Sequence, residues 1–119
     1  MSAPTNEDFG RIPILEEIRN QGEEKTWDVL APQYGVTNEN PPWKTSLVAM
    51  CDCLGGCGAI PALEIRNSED ELSDSVYNDV PAPERQLLAL AHTMLRRGLV
   101  GEGELAKRME IVRSRLEAV

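Results

Sequence analysis

Residues 83–116, PERQLLALAHTMLRRGLVGEGELAKRMEIVRSRL, hold two apolar repeats at helical spacing with a glycine-flanked turn between them. In the first, Leu87, Leu90, Ala91, Met94 and Leu95 fall on one face. Arg96 and Arg97 occupy its final turn, where cations favour the carbonyl end of a helix, and Gly98 is the stop. The second repeats the pattern with Leu105, Met109, Val112 and Leu116, and Glu104 with Arg108 makes a favourable i,i+4 pair. So short a connection predicts an antiparallel helical hairpin.

Upstream the same period recurs. Trp43, Leu47, Met50 and Leu54 are helically spaced, with Asn40 as the expected N-cap, Pro41 and Pro42 tolerated in the first turn, and Gly55-Gly56 as the stop. Pro61 opens a shorter helix, PALEIRNSEDELS, and residues 73–80 read as an acidic loop around Tyr77. No alternating strand pattern of useful length and no internal repeat is present. The fold class expected is all-α, in one domain with one modest core.

Residues 1–42 differ in kind. They carry Pro4, Pro13, Pro32, Pro41 and Pro42 with Gly10, Gly22 and Gly35, and only the run after Pro13, ILEEIR, predicts a short helix. Yet Phe9, Trp27 and Tyr34 lie here and Trp43 just beyond, leaving Tyr77 as the one aromatic of the rest. Backbone entropy outweighs what so few large apolar residues return, so this stretch needs an external surface to order. Two surfaces are available: its own domain, or a partner chain, which the aromatic content favours. The expected division is an extended, partner-wrapping arm over 1–42 and a helical domain over 43–119.

The net charge of −8 argues against an electrostatic nucleic-acid binder. The first 20 residues have charges and no apolar signal core, and no run suits a membrane span, so a cytoplasmic protein without nucleic-acid or membrane partners is expected. The three cysteines, Cys51, Cys53 and Cys57, are an odd number and read as reduced thiols. On a helix Cys53 and Cys57 share a face while Cys51 points about 160° away from Cys53. They cannot all converge on a metal, and a zinc or iron–sulfur site wants a fourth ligand. Small packed residues are the plainer reading, with metal handling or redox chemistry behind it. The Gly-rich segment after Leu54 lacks the Lys-Ser/Thr of a P-loop. His92, the one histidine, sits mid-helix beside an apolar face and reads as a satisfied structural or surface histidine, and SEDELSD reads as a solvated acidic loop. The chain alone offers no catalytic constellation.

In its order of features the chain resembles the N-terminal half of the beta-type subunit of the nitrile hydratase and thiocyanate hydrolase family. WKTSLVAMCDCLGGCGAIPALEIR is similar, without a gap, to a family segment in which Trp43, Ala49, Met50, Gly58, Glu64 and Arg66 fall on characteristic positions. CDCL, residues 51–54, resembles the CECL of thiocyanate hydrolase beta subunits. PAPERQLLALAHTMLRRGLVGEGELAKRMEIV resembles the helix–turn–helix that follows, through Pro81, Glu84, Arg85, Leu87, Gly98, Glu104 and Leu105. The resemblance covers residues 43–117.

The resemblance implies a subunit that binds no metal itself. In the family a cysteine claw of the alpha subunit holds cobalt(III), or alternatively iron(III), and a pair of its cysteines is oxidised. A beta-subunit arginine grips those oxygens, and Arg66 falls on that position. A guanidinium suits the task because its charge is permanent and its donors fork. The claw pattern itself is missing from Cys51, Cys53 and Cys57. The implied assembly is a hetero-oligomer with an alpha subunit, to which Trp27, Tyr34, Trp43, Glu84 and Arg85 would contribute. The usual beta subunit is much longer and adds a small β-barrel with a second claw-binding arginine. Three-chain members, those acting on thiocyanate or on a nucleoside nitrile such as toyocamycin, split the beta subunit, so a separate barrel chain is expected. Ala82, Pro83 and Gln86 replace family aromatics, which would widen a substrate pocket toward bulky nitriles. The implied activity is hydration of a nitrile to an amide. A thiocyanate hydrolase beta subunit and a transient activator or metallochaperone are the alternatives.

Overall fold

The computed structural model describes residues 11–118, and among these every regular element is a helix. They are α1 (Pro13–Gln21), α2 (Trp27–Gln33), α3 (Lys44–Gly56), α4 (Ala62–Ser73), α5 (Ala82–Arg96) and α6 (Glu102–Glu117). The all-α class expected from the periodicity is what the chain adopts. The part of the expected arm over residues 1–10, Phe9 included, lies outside the described residues.

α1 starts where Pro13 presets φ, and it delivers Leu15, 1 % exposed, into the central core. There Leu15 meets Leu72, Tyr77, Val80, Leu88 and Ala89, with Ile12, Ile14, Ile18 and Leu95 packed around them. Arg19, in the last turn, pairs with Asp79 and donates to the Val76 carbonyl at 3.2 Å. Over α1, then, the N-terminal segment folds back on its own domain and shares its core with residues on the far side of position 43.

α2 was expected to be extended chain. Its first turn is capped from a distance: Glu84 on α5 accepts the Trp27 N–H at 2.6 Å. A carboxylate at that end also suits the helix dipole. Pro32 falls in the last turn, and Gly35, at φ +68°, takes the left-handed conformation that ends it.

α3 begins at Lys44, with Trp43 in the cap position and no side-chain cap; the expected start at Asn40 is displaced by a turn in which Lys44 N–H bonds the Pro41 carbonyl at 3.0 Å. At its other end, a Cβ on Gly55 would lie 3.3 Å from that of Ala62. The missing side chain lets α4 leave α3 at a tight corner, whose linker residue Ile60 is fully buried. The glycines of the opening cysteine segment thus serve a helix–helix corner. α4 packs most extensively against α5 and then against α3.

On α5 the buried residues are Leu88, Ala89, Leu90, His92 and Thr93, whereas Leu87, expected inside, is 42 % exposed. The buried face is rotated because α5 is covered from two sides. Leu88 meets the α1 core, while His92 and Thr93 face α4 across a groove shared with Ser68 and Leu72. α6 is present where the second repeat predicts it but buries none of its described residues and makes little contact with α5. Glu104 turns back to accept the Gly101 N–H at 3.3 Å, in place of the expected pairing with Arg108.

Candidate functional site

The α3–α4 corner carries the residues of greatest chemical interest. Glu64 and Arg66 are two residues apart on α4, hence about 160° apart around it. Glu64 faces α5 and holds the Arg97 guanidinium through both carboxylate oxygens. That bond draws the Glu64 carboxyl below its ordinary range and pushes Arg97 upward. Arg66 points the other way. It is exposed and makes no hydrogen bond or ion pair with the described residues. Leu63, one turn before it on the same side, is 66 % exposed. The remaining arginines near the domain's body are engaged: Arg19 by Asp79, Arg85 by the Val80 carbonyl at 3.3 Å, Arg97 by Glu64.

The cysteines line the neighbouring helix end. Cys53 and Cys57 are exposed and Cys51 is half-buried; all are free thiols. Burial, with help from Glu69 and Asp52, raises the Cys51 thiol and keeps it protonated. Cys57 Sγ lies 3.7 Å from the Leu54 carbonyl. Among the described residues no three His, Cys, Asp or Glu side chains converge as metal ligands.

Ala82, Pro83 and Gln86 occupy the first turns of α5. Gln86 accepts the Lys44 ammonium, Ala82 is exposed and Pro83 half-buried. None of the three lines the cleft of about 220 Å3 between α1 and α5, whose walls include Ile18, Lys25, Val80, Glu84 and Leu87. The aromatic residues expected at an assembly surface divide. Tyr34 is 74 % exposed, whereas Trp27 and Trp43 are half-buried and the Trp27 indole donates to the Asn38 carbonyl at 2.9 Å. Glu84 is spent on capping α2 and Arg85 on the loop before α5.

One polar pair escaped the sequence reading. The Tyr77 hydroxyl lies 2.8 Å from His92 Nδ1, both rings are fully buried, and they meet edge to face at 5.7 Å. Either the hydroxyl donates to Nδ1, with the ring proton on Nε2, or a proton on Nδ1 is donated to the hydroxyl oxygen, according to the ring tautomer. Nε2 is buried without a partner. Burial, with Arg96 nearby, holds the His92 pKa down at about 4, so the ring is neutral at pH 7. Burial likewise raises Tyr77. Fifteen residues separate the two, one of them in a loop, and no local spacing signals such a pair.

No helix among the described residues is long and apolar enough to cross a membrane. Comparison of the chain with family models, with curated proteins and with solved structures found no match.

Proposed function

We propose that this chain is the helical, non-metal-binding subunit of a multi-chain nitrile hydratase, in which it presents Arg66 to an oxidised cysteine claw on the alpha subunit. The observation that carries the reading is the state of Arg66: an exposed guanidinium without a partner among the described residues, beside an exposed leucine, on a helix fixed by a tight glycine corner. Forked donors not already bonded to a carboxylate are what a pair of sulfur oxyanions would recruit. The metal, cobalt(III) or alternatively iron(III), would belong to the alpha subunit and supply the Lewis acidity for adding water across the nitrile.

Within that complex Arg66 would orient and hold the claw's oxygens, and the exposed side of α3 and α4 would form the contact. The chain supplies no general acid or base of its own to the reaction. Gln86, with Ala82 and Pro83, would border the substrate.

The test is substitution in the assembled complex. Arg66→Ala should lower nitrile hydration by at least ~100-fold, the scale expected when a preorganised donor is removed, with subunit stoichiometry intact. Arg66→Lys should not restore it, because an ammonium lacks the fork. Activity unchanged in both variants rejects the reading.

A second reading draws on the thiols. Cys53 and Cys57, one turn apart and exposed, suit a transient metallochaperone that loads the alpha subunit. Replacing both with serine should then abolish metal loading; in a permanent subunit loading is unaffected.

A further inference from the structure

α6 carries an apolar seam whose second half is largely open among the described residues. Leu105, Met109, Val112 and Leu116 follow a 4-3-4 spacing, the a/d pattern of a helix that packs on another helix. Met109 is 37 %, Val112 46 % and Leu116 71 % exposed. Together with Arg108, Arg113 and, at the far end, Glu117 they line a shallow groove along the second half of the helix. The helix meets its own domain along one side: Leu105 and Ile111 are half-buried, Met109 and Arg113 border a cleft against Ile14, Glu17 and Ile18 of α1, and Glu102 accepts the Ile14 N–H at 3.4 Å.

The flanks of the seam select the occupant. Helical geometry sets Arg108 and Arg115 along one side and Arg113 along the other. Between Leu105 and Leu116 the only acidic residue is Glu110, about 130° around from the centre of the seam on the side of α1, although the chain as a whole carries −8. None of these arginines is paired with a described residue. A second copy of α6 would bring arginine against arginine in either orientation: Arg108 meets Arg113 in a parallel pair, and Arg108 meets Arg115 in an antiparallel one. Like charges at these positions disfavour pairing. A lipid surface is also a poor match. The seam spans about 60° of the helix, whereas an interfacial helix wants a broad apolar face, and the acidic body of the domain opposes anionic lipid.

We infer that α6 is a docking surface for an amphipathic helix of another protein, one whose apolar seam is flanked by glutamate or aspartate. This goes beyond the hydratase reading and stands without it, since neither Arg66 nor the α3–α4 corner takes part.

The probes are two labelled synthetic helices, each about four heptads long with leucine at a and d; one carries glutamate at e and g, the other lysine. Fluorescence anisotropy with the full chain should give binding of the glutamate helix at least ~10-fold tighter than the lysine helix, weakening as salt is raised. Replacing Arg108, Arg113 and Arg115 together with glutamate should invert the preference. Val112→Glu should remove binding of both while the circular dichroism of the chain is retained. Equal binding of the two helices, or binding of neither, overturns the inference. So does a concentration-dependent dimer that Val112→Glu dissolves, which makes a second copy the occupant. Binding that appears only after deletion of residues 1–10, or a preference for phosphatidylserine vesicles over the glutamate helix, overturns it as well.

Discussion

α5 and α6 read alike in sequence and behave differently in the fold. Each carries four or more apolar side chains at helical spacing, an acidic first turn and a basic last turn. α5 buries five residues under α1 and α4, and α6 buries none among those described. An amphipathic pattern states that a face needs cover; it does not state that the same chain supplies it. α5 earns its cover from partners distant in sequence, among them Leu15 on α1 and Tyr77 in the loop after α4.

The contrast can be broken most severely at the α4–α5 core. Leu72, 1 % exposed, contacts this core directly, and Leu72→Ala should cost about 2–5 kcal/mol in denaturant unfolding. A loss below ~1 kcal/mol would mean that the core is not packed as described.

A smaller effect sits at His92. Its folded-state pKa is depressed to about 4 against an ordinary 6.5, so the unfolded chain takes up a proton first as pH falls. The neutral ring therefore stabilises nothing extra above pH 6.5, and stability declines from there until the folded state also titrates near 4. Between pH 7 and 5 the wild type should lose about 2 kcal/mol more than His92→Gln, whose amide can still hydrogen-bond Tyr77. Equal slopes for the two would show that His92 is not buried neutral.

The smallest effect belongs to α6. Val112→Ala should change unfolding by less than about 0.5 kcal/mol, because the side chain is already half in water. A cost like that of Leu72→Ala would show that the seam is covered within the chain.

These magnitudes also mark what was legible in advance. The helical class, the start of α1 at Pro13 and the end of α5 before Gly98 follow from local periodicity and local chain geometry. α2 was hidden because Pro32 and Gly35 read as turn residues, while its cap, Glu84, lies 57 residues away. The buried face of α5 is hidden for the same kind of reason: His92 is polar by type, and Tyr77, from another segment, makes its burial tolerable. For the candidate site, the two-residue spacing of Glu64 and Arg66 already separates them around α4. That Glu64 is the tethered one depends on Arg97, which no local pattern could have named.

The tethering of Glu64 and the freedom of Arg66 bear on the proposed role of the chain, and one measurement addresses that role directly. Native mass spectrometry with metal analysis would be run on the complex purified from its source under dilute conditions. A stable assembly with this chain equimolar to a cobalt- or iron-bearing subunit that carries oxidised cysteines is expected. Recovery of the chain alone, or in a pair that dissociates once the partner has been loaded with metal, contradicts a permanent subunit.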